Sequence, residues 1–471
     1  MTPTCPASSA PLTRGLGLGQ AVAINITQIV GAGVFATVPL ILGVLPGAYA
    51  LLAWLVAGVL ILFDGMIWGE LGAALPAAGG SYHFLLESYG RSKWGRIMAF
   101  LFVWQILISG PLEVGSGLVA AAQFSTAIDP DFKSYDEKHT LKREIELDTD
   151  KSVTVSVGPS RLVGFTLGCL ILLLLYRKVT DLGRLSVAFL IGVLGLLAWV
   201  LFEGAAHFDQ VRAFDTGTKP DRFGPALGAG MGFAIYSYLG YYNCCYLGAE
   251  VRDPAKTIPR AILLSALVVV VIFALVQLAI TGAMPWQEAA REKDNLTAAF
   301  MARFHGDWVK PVVTVMLVGS CFASCFSGTL GYSRVPYAAA TEGHFFSWFA
   351  AVHPTLHIPH RSLLLIGSMV LFWSFFSLDA IITALIVTRI LEQFVAQIFA
   401  VVLLRKLQPD RPRPWKMWLY PLPCVVALVG WLFLYFTSDL FYILVGLGTL
   451  CLGLIVFLLW SRLRKSWPFA G

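Results

Sequence analysis

Residues 16–45 form one long hydrophobic run that is interrupted in its middle by Gly31-Ala32-Gly33. About 20 apolar residues suffice for a helix to cross the hydrocarbon core of a bilayer, and this run is longer. Two glycines one residue apart each cost a helix interior roughly 1 kcal/mol relative to alanine, so the helix is weakest there. A break at that depth frees backbone N–H groups away from bulk water. They must then find neighbouring protein or a ligand in an aqueous cavity. The alternative is that the small residues let a second helix pack closely.

The rest of the chain is equally apolar. With 57% hydrophobic and 13% charged residues over 471 positions, it exceeds what a soluble protein of this length carries. Its 44 glycines and 14 tryptophans suit packed membrane helices with aromatic belts. The net charge of +6 reads as loop bias rather than as a nucleic-acid footprint. The eight cysteines lie mostly inside apolar runs, with neither zinc spacing nor a disulfide framework. No nucleophile, base or metal set stands at motif spacing, so the chain is not read as an enzyme and no cofactor or metal is expected. Residues 1–14 read as an uncleaved cytoplasmic segment, because the apolar run after them is too long for a signal-peptide core.

Spans by the length criterion number about twelve. After the first come Tyr49 to Trp68 and Ile97 to Ile128, then Leu162 to Tyr176 and Leu185 to Phe202. A short amphipathic stretch around His83 to Arg96 reads as interfacial. Residues 129–160 form the long polar insertion; alternation at Leu141, Ile145 and Leu147 and again at Val153, Val155 and Val157 predicts a hairpin outside the membrane. Lysine and arginine concentrate in one set of alternate loops, including Arg91, Lys93, Arg177, Lys178, Arg405 and Arg411. The positive-inside rule then places both termini in the cytoplasm.

The sixth region, Pro225 to Gly248, is again broken by glycine, at Gly240. First and sixth is the spacing expected of inverted repeats whose discontinuous helices meet near the bilayer midplane. N–H groups at the start of a half-helix near Gly31 to Gly33 favour a carboxylate. Carbonyls released around Tyr236 to Gly240 accept from an ammonium, so a zwitterionic amino acid fits between them.

These residues also carry a resemblance. Gly31-Ala32-Gly33-Val34-Phe35 stands where amino acid, polyamine and organocation (APC) superfamily transporters usually have a GSGIF-like run. GELGAALPAAGGSYHFLLESYG from Gly69, GAEVRDPAKTIPRAI from Gly248 and SRVPYAAATEGHFFSWFAAVHP from Ser333 are similar to further motifs of that superfamily. The chain is identified as a member of it, with a branch resemblance to the L-type exchangers, whose FAYGGW-like run lines up with Tyr236 to Tyr241. The resemblance implies an all-α polytopic membrane protein with a LeuT-type 5+5 inverted repeat. Residues 15–404 would form the ten-helix transport core and residues 405–471 a cytoplasmic loop with helices eleven and twelve. It implies Gly31, Ala32, Gly33, Tyr236, Ser237, Leu239 and Gly240 as the substrate site, with Tyr236 as the gating aromatic. L-type light chains carry a cysteine after the third span for a disulfide to a heavy chain; residues 129–160 contain none, so no such partner is expected.

Charges inside spans are candidates for ion coupling. Glu113 lies mid-span in the third helix and is read as a proton carrier or as a structural hydrogen-bonder. Arg389 and Glu392, three apart in the tenth, read as a neutralising pair. Asp64 reads as solvated through a water pocket. Ser324, Ser327 and Thr329 of the eighth span are the hydroxyls that would serve sodium. The function expected is secondary amino acid transport by alternating access, as exchanger or proton symporter; the rivals are a polyamine carrier and a non-transporting amino acid sensor.

Overall fold

The computed structural model describes residues 12–31, 33–148, 151–292, 295–377, 388–465 and 467–469. The chain opens with α1 (Leu18–Ile29) and α2 (Gly33–Val44), followed by α3 (Tyr49–Ala74), the short α4 (Ser81–Ser88) and α5 (Trp94–Ser125). The insertion holds α6 (Pro130–His139) and the strands β1 (Leu141–Asp148) and β2 (Lys151–Val157). Then come α7 (Pro159–Leu175), α8 (Val179–Ala206), α9 (Phe223–Tyr238), α10 (Asn243–Tyr246) and α11 (Pro254–Ala283). After these follow α12 (Val309–Tyr332), α13 (Arg334–Thr341), α14 (His360–Trp373), a π-helical turn (Ile390–Val395), α15 (Ala396–Leu407), α16 (Leu422–Thr437) and α17 (Leu440–Leu463).

Among the described residues, six helices are long and apolar enough to cross a membrane: α3, α5, α8, α11, α12 continued through α13, and α17. α1 and α2 pass the same test together as a pair bent by 41° at their junction, and α7, α14 and α16 are shorter apolar helices. α1 sits at the centre, against α8, α11 and α12, while α2 lies along α9. Aromatic stacking locks the middle of the bundle: Trp68 lies flat on Tyr242 at 4.3 Å and Phe394 on Trp431 at 3.9 Å. Such pairs contribute about 0.5–1.5 kcal/mol beyond their buried area.

One end of the bundle is tied shut by main chain. The N–H groups of Gly15 and Leu16 donate to the Glu250 carbonyl, and Arg252 N–H donates to Leu16 O. Gly79 N–H donates to Tyr246 O beside it. At the opposite end the alternating segment folds as the expected antiparallel hairpin, with Leu141 opposite Val157 and Ile145 opposite Val153. Its second strand does more than close the hairpin. Ser156 N–H donates to Phe375 O (2.8 Å) and Ser377 N–H to Thr154 O (2.9 Å), so β2 also pairs with the segment that follows α14.

The stretch around His83 to Arg96, read as interfacial, holds the eight-residue α4, too short to cross, with Tyr82, Phe84 and Leu85 buried. The tenth predicted span, from Ala380, begins within residues 378–387, which lie outside the described residues; its described part starts as the π-helical turn.

Candidate functional site

α1 ends where Val30 N–H closes on Ile26 O (2.8 Å) and Gly31 N–H on Ile29 O (3.0 Å). The helix restarts at Gly33. Ala32, expected at the site, lies outside the described residues. The first N–H groups of α2 have no intrahelical acceptor, as at any helix start. The second interruption follows Tyr238: Leu239 turns extended at ψ 140°, and Gly240 takes φ +110°, a region open to glycine and costly for other residues. The helix resumes at Asn243.

The two interruptions touch. A Cβ on Gly33 would stand 2.9 Å from Ser237 Cα, and one on Gly240 would stand 2.7 Å from Gln28 Cγ. The hydroxyls of Thr37 and Ser237 hydrogen-bond at 2.7 Å. Asn25 stitches the lower part of α1 to the second break: its Nδ2 donates to Tyr241 O (2.7 Å) and its Oδ1 accepts from Cys244 N–H (2.9 Å). A cavity opens between the breaks and α5, bordered by Gln28, Gly31, Gly33, Glu113, Tyr236 and Leu239. Tyr236 spans it, with its hydroxyl 2.7 Å from Ser116 Oγ on α5.

Glu113 is 10% exposed and hydrogen-bonded, as the second of its two expected readings has it. Its carboxylate accepts from Gln28 Nε2 (3.0 Å), from Tyr332 Oη (2.6 Å) and from Arg389 Nη1. Arg389 also donates through Nε to Ser109 Oγ (2.9 Å). The expected Arg389–Glu392 pair is therefore corrected: the arginine belongs to Glu113, and both oxygens of Glu392 lack a hydrogen-bond partner among the described residues.

Residues 16–459, nearly the whole chain, match the amino acid permease family. The chain belongs to that family. It is 30% identical to an uncharacterized transporter of Mycobacterium tuberculosis over 372 residues, 76% of this chain and 73% of the relative. It is 26% identical to the serine/threonine exchanger SteT of Bacillus subtilis over 424 residues, 89% and 90% of the two chains. It is also 26% identical to the human cystine/glutamate transporter over 418 residues, 87% and 77%. The permease is thus an APC-superfamily transporter and a multi-pass membrane protein, not an enzyme.

The three hydroxyls considered for sodium are engaged by protein in the permease. Ser324 Oγ donates to Gln28 O (2.6 Å), Ser327 Oγ meets Thr27 Oγ1 (2.7 Å) and Thr329 donates to Cys325 O (2.7 Å). Asp64 is corrected from solvated to sequestered: it is 1% exposed and accepts from Tyr241 Oη and from Trp431 Nε1 (3.1 Å).

Two buried ion pairs escaped the reading of the sequence. Arg334 donates to both oxygens of Glu250 (2.7 and 3.0 Å), with each side chain 1% exposed. Arg405 donates to both oxygens of Glu70 (2.8 and 2.6 Å), where Met417 N–H also donates (2.8 Å). The signal was present, since Glu70, Glu250 and Arg334 all lie within the family motifs quoted above. Their partners, 84 to 335 residues away, are set only by the fold.

Proposed function

We propose that this permease carries amino acids across the membrane by alternating access around the two helix breaks. The observation that carries the reading is the close approach of Gly33 to Ser237 and of Gly240 to Gln28 beside one cavity; half-helix donors and unwound-segment acceptors would face each other across it. The substrate carboxylate is held by N–H groups at the start of α2, near Gly31, Ala32 and Gly33. Its ammonium is held by the carbonyls of Tyr236, Ser237 and Leu239, with Gly240 shaping the turn. Tyr236, bridged to Ser116, is the gate.

The span count we infer is twelve, with α1–α2 and α9–α10 as the first and sixth spans of a 5+5 inverted repeat. The sealed, arginine-rich end faces the cytoplasm by the positive-inside rule, which puts both termini there. A polyamine would need free acids in the pocket, whereas the carboxylate bordering it, Glu113, is already paired with Arg389. That favours a zwitterion of neutral side chain, and two of the relatives, the serine/threonine exchanger and the cystine/glutamate transporter, are amino acid transporters. Transport runs as exchange or as proton symport, with Glu113 the acid next to the substrate.

Counterflow in proteoliposomes tests this reading. Vesicles preloaded with a mixture of unlabelled L-amino acids should take up the radiolabelled mixture transiently above its equilibrium level. Reconstituted, folded protein without counterflow would contradict transport and favour a sensor.

A further inference from the structure

Glu392 lies in the π-helical turn Ile390–Val395, buried to 5% exposure, and neither carboxylate oxygen has a hydrogen-bond partner among the described residues. π-helical turns are frequent at functional sites. A carboxylate buried without a partner inside a membrane protein is not held as the anion. Its charge must be neutralised by a cation or by a proton. The nearest source of positive charge is Arg389, three residues before it, and that guanidinium is committed to Glu113 and Ser109. Arg389 Nη2 is itself without a partner among the described residues, as are Gln393 Oε1 and Gln397 Nε2 on the same stretch. Four buried side chains of this stretch thus hold hydrogen-bonding capacity that is unused among the described residues.

Among the described residues the surroundings offer Glu392 no other cation. The π-helical turn packs against α5, α15 and α16. On α5 the ionisable group at this level is Glu113, already in its ion pair. On α15 the cations are Arg405 and Lys406, thirteen and fourteen residues further along, and Arg405 is bound to Glu70. α16 brings Trp431, which stacks on Phe394, and the titratable Cys424 and Tyr435. Tyr242 and Tyr246, from the second break, meet Arg389 and Gln393.

We propose that Glu392 is a proton-binding site and that its protonation decides which carboxylate Arg389 holds. This rests on the transport reading above and assigns its coupling ion. With the proton on Glu392, Arg389 stays on Glu113. Glu113 then keeps Gln28 in place, and Gln28 packs on Gly240 and borders the cavity. When Glu392 gives its proton to water, its carboxylate draws Arg389 across, Glu113 loses its guanidinium partner, and the support of Gln28 loosens. Proton binding therefore favours the assembled substrate site, and by linkage substrate binding favours the proton. Proton and amino acid travel together.

The test uses the full chain in proteoliposomes, with a mixture of radiolabelled L-amino acids as the probe. An outside-acid gradient of about one pH unit should drive accumulation of up to about tenfold for one proton per substrate. Glu392→Gln, which mimics the neutral acid, should abolish that accumulation and keep counterflow. Accumulation by Glu392→Gln equal to wild type, or wild-type counterflow without any response to the gradient, would overturn the proposal and leave transport standing. Wild type without counterflow would instead overturn the transport reading. A second measurement is independent of transport: the infrared carbonyl band of a protonated carboxylic acid, present in wild type at neutral pH, should be lost in Glu392→Gln and shifted in Glu392→Asp. Identical wild-type and variant spectra in this band would overturn the proposal even where a variant transports poorly.

Discussion

Arg334 and Arg389 are both fully buried and both paired with a glutamate from a distant part of the chain, yet they are built differently. Arg334 meets one acid, Glu250, through two parallel bonds, and further donates to Leu330 O and Ser333 Oγ. Nothing competes for it. It joins the start of α13 to the loop that also receives the main chain of Gly15 and Leu16, and so clamps one end of the bundle. Arg389 holds one acid, Glu113, and precedes a second, Glu392, by three residues. The first arrangement leaves no group of the pair unsatisfied; the second leaves, among the described residues, an unsatisfied acid and an unused donor, which is what the proposed switch requires. A clamp and a switch are thus distinguished by their leftover hydrogen-bonding capacity, and not by burial or charge.

The largest effect is expected at the clamp. Arg334→Gln leaves Glu250 buried without its cation, a change that typically costs about 3–5 kcal/mol. The protein should lose most of its folded yield in detergent, read by size exclusion and by thermal unfolding. A stable, monodisperse variant would show that the pair is dispensable. A smaller and opposite expectation holds for the switch. Glu392→Gln removes no hydrogen bond and should leave the unfolding temperature unchanged or higher, within about 1 kcal/mol. Clear destabilisation by that substitution would mean Glu392 has a partner. A double-mutant cycle sharpens the contrast: Arg389 and Glu113 should couple by about 0.5–3 kcal/mol, whereas Arg389 and Glu392 should be additive to within about 0.5 kcal/mol. The smallest effect is expected at the hairpin. Replacing residues 141–157 by a Gly/Ser linker removes the two bonds from β2 to the segment after α14, a loss of about 1–2 kcal/mol, with counterflow retained.

Much of this was legible in the sequence. Gly31, Gly33 and Gly240 announce the breaks because glycine in a buried helix is costly and rarely neutral in meaning. The alternation of Val153, Val155 and Val157 announces β2. The pairing of charges was not legible. Spacing by three matched Arg389 to Glu392, as it would on a regular α-helix surface, but the stretch winds as a π-helical turn and the guanidinium is engaged by Glu113 on α5 instead. The true partner, Glu113, is 276 residues away and is chosen by how α5 lies against the π-helical turn. Likewise Asp64 looked like an acid awaiting water because its donors, Tyr241 and Trp431, come from the second break and from α16.

The central claim is that the two interrupted helices face each other across the substrate. α2 supplies its own control. A Cβ on Gly33 would press on Ser237 Cα at 2.9 Å, while one on Gly43 of the same helix meets nothing within 4 Å. Counterflow measured side by side for Gly33→Ala and Gly43→Ala, in protein of equal yield and monodispersity, should be lost in the first and match wild type in the second. Wild-type counterflow in Gly33→Ala would contradict the account.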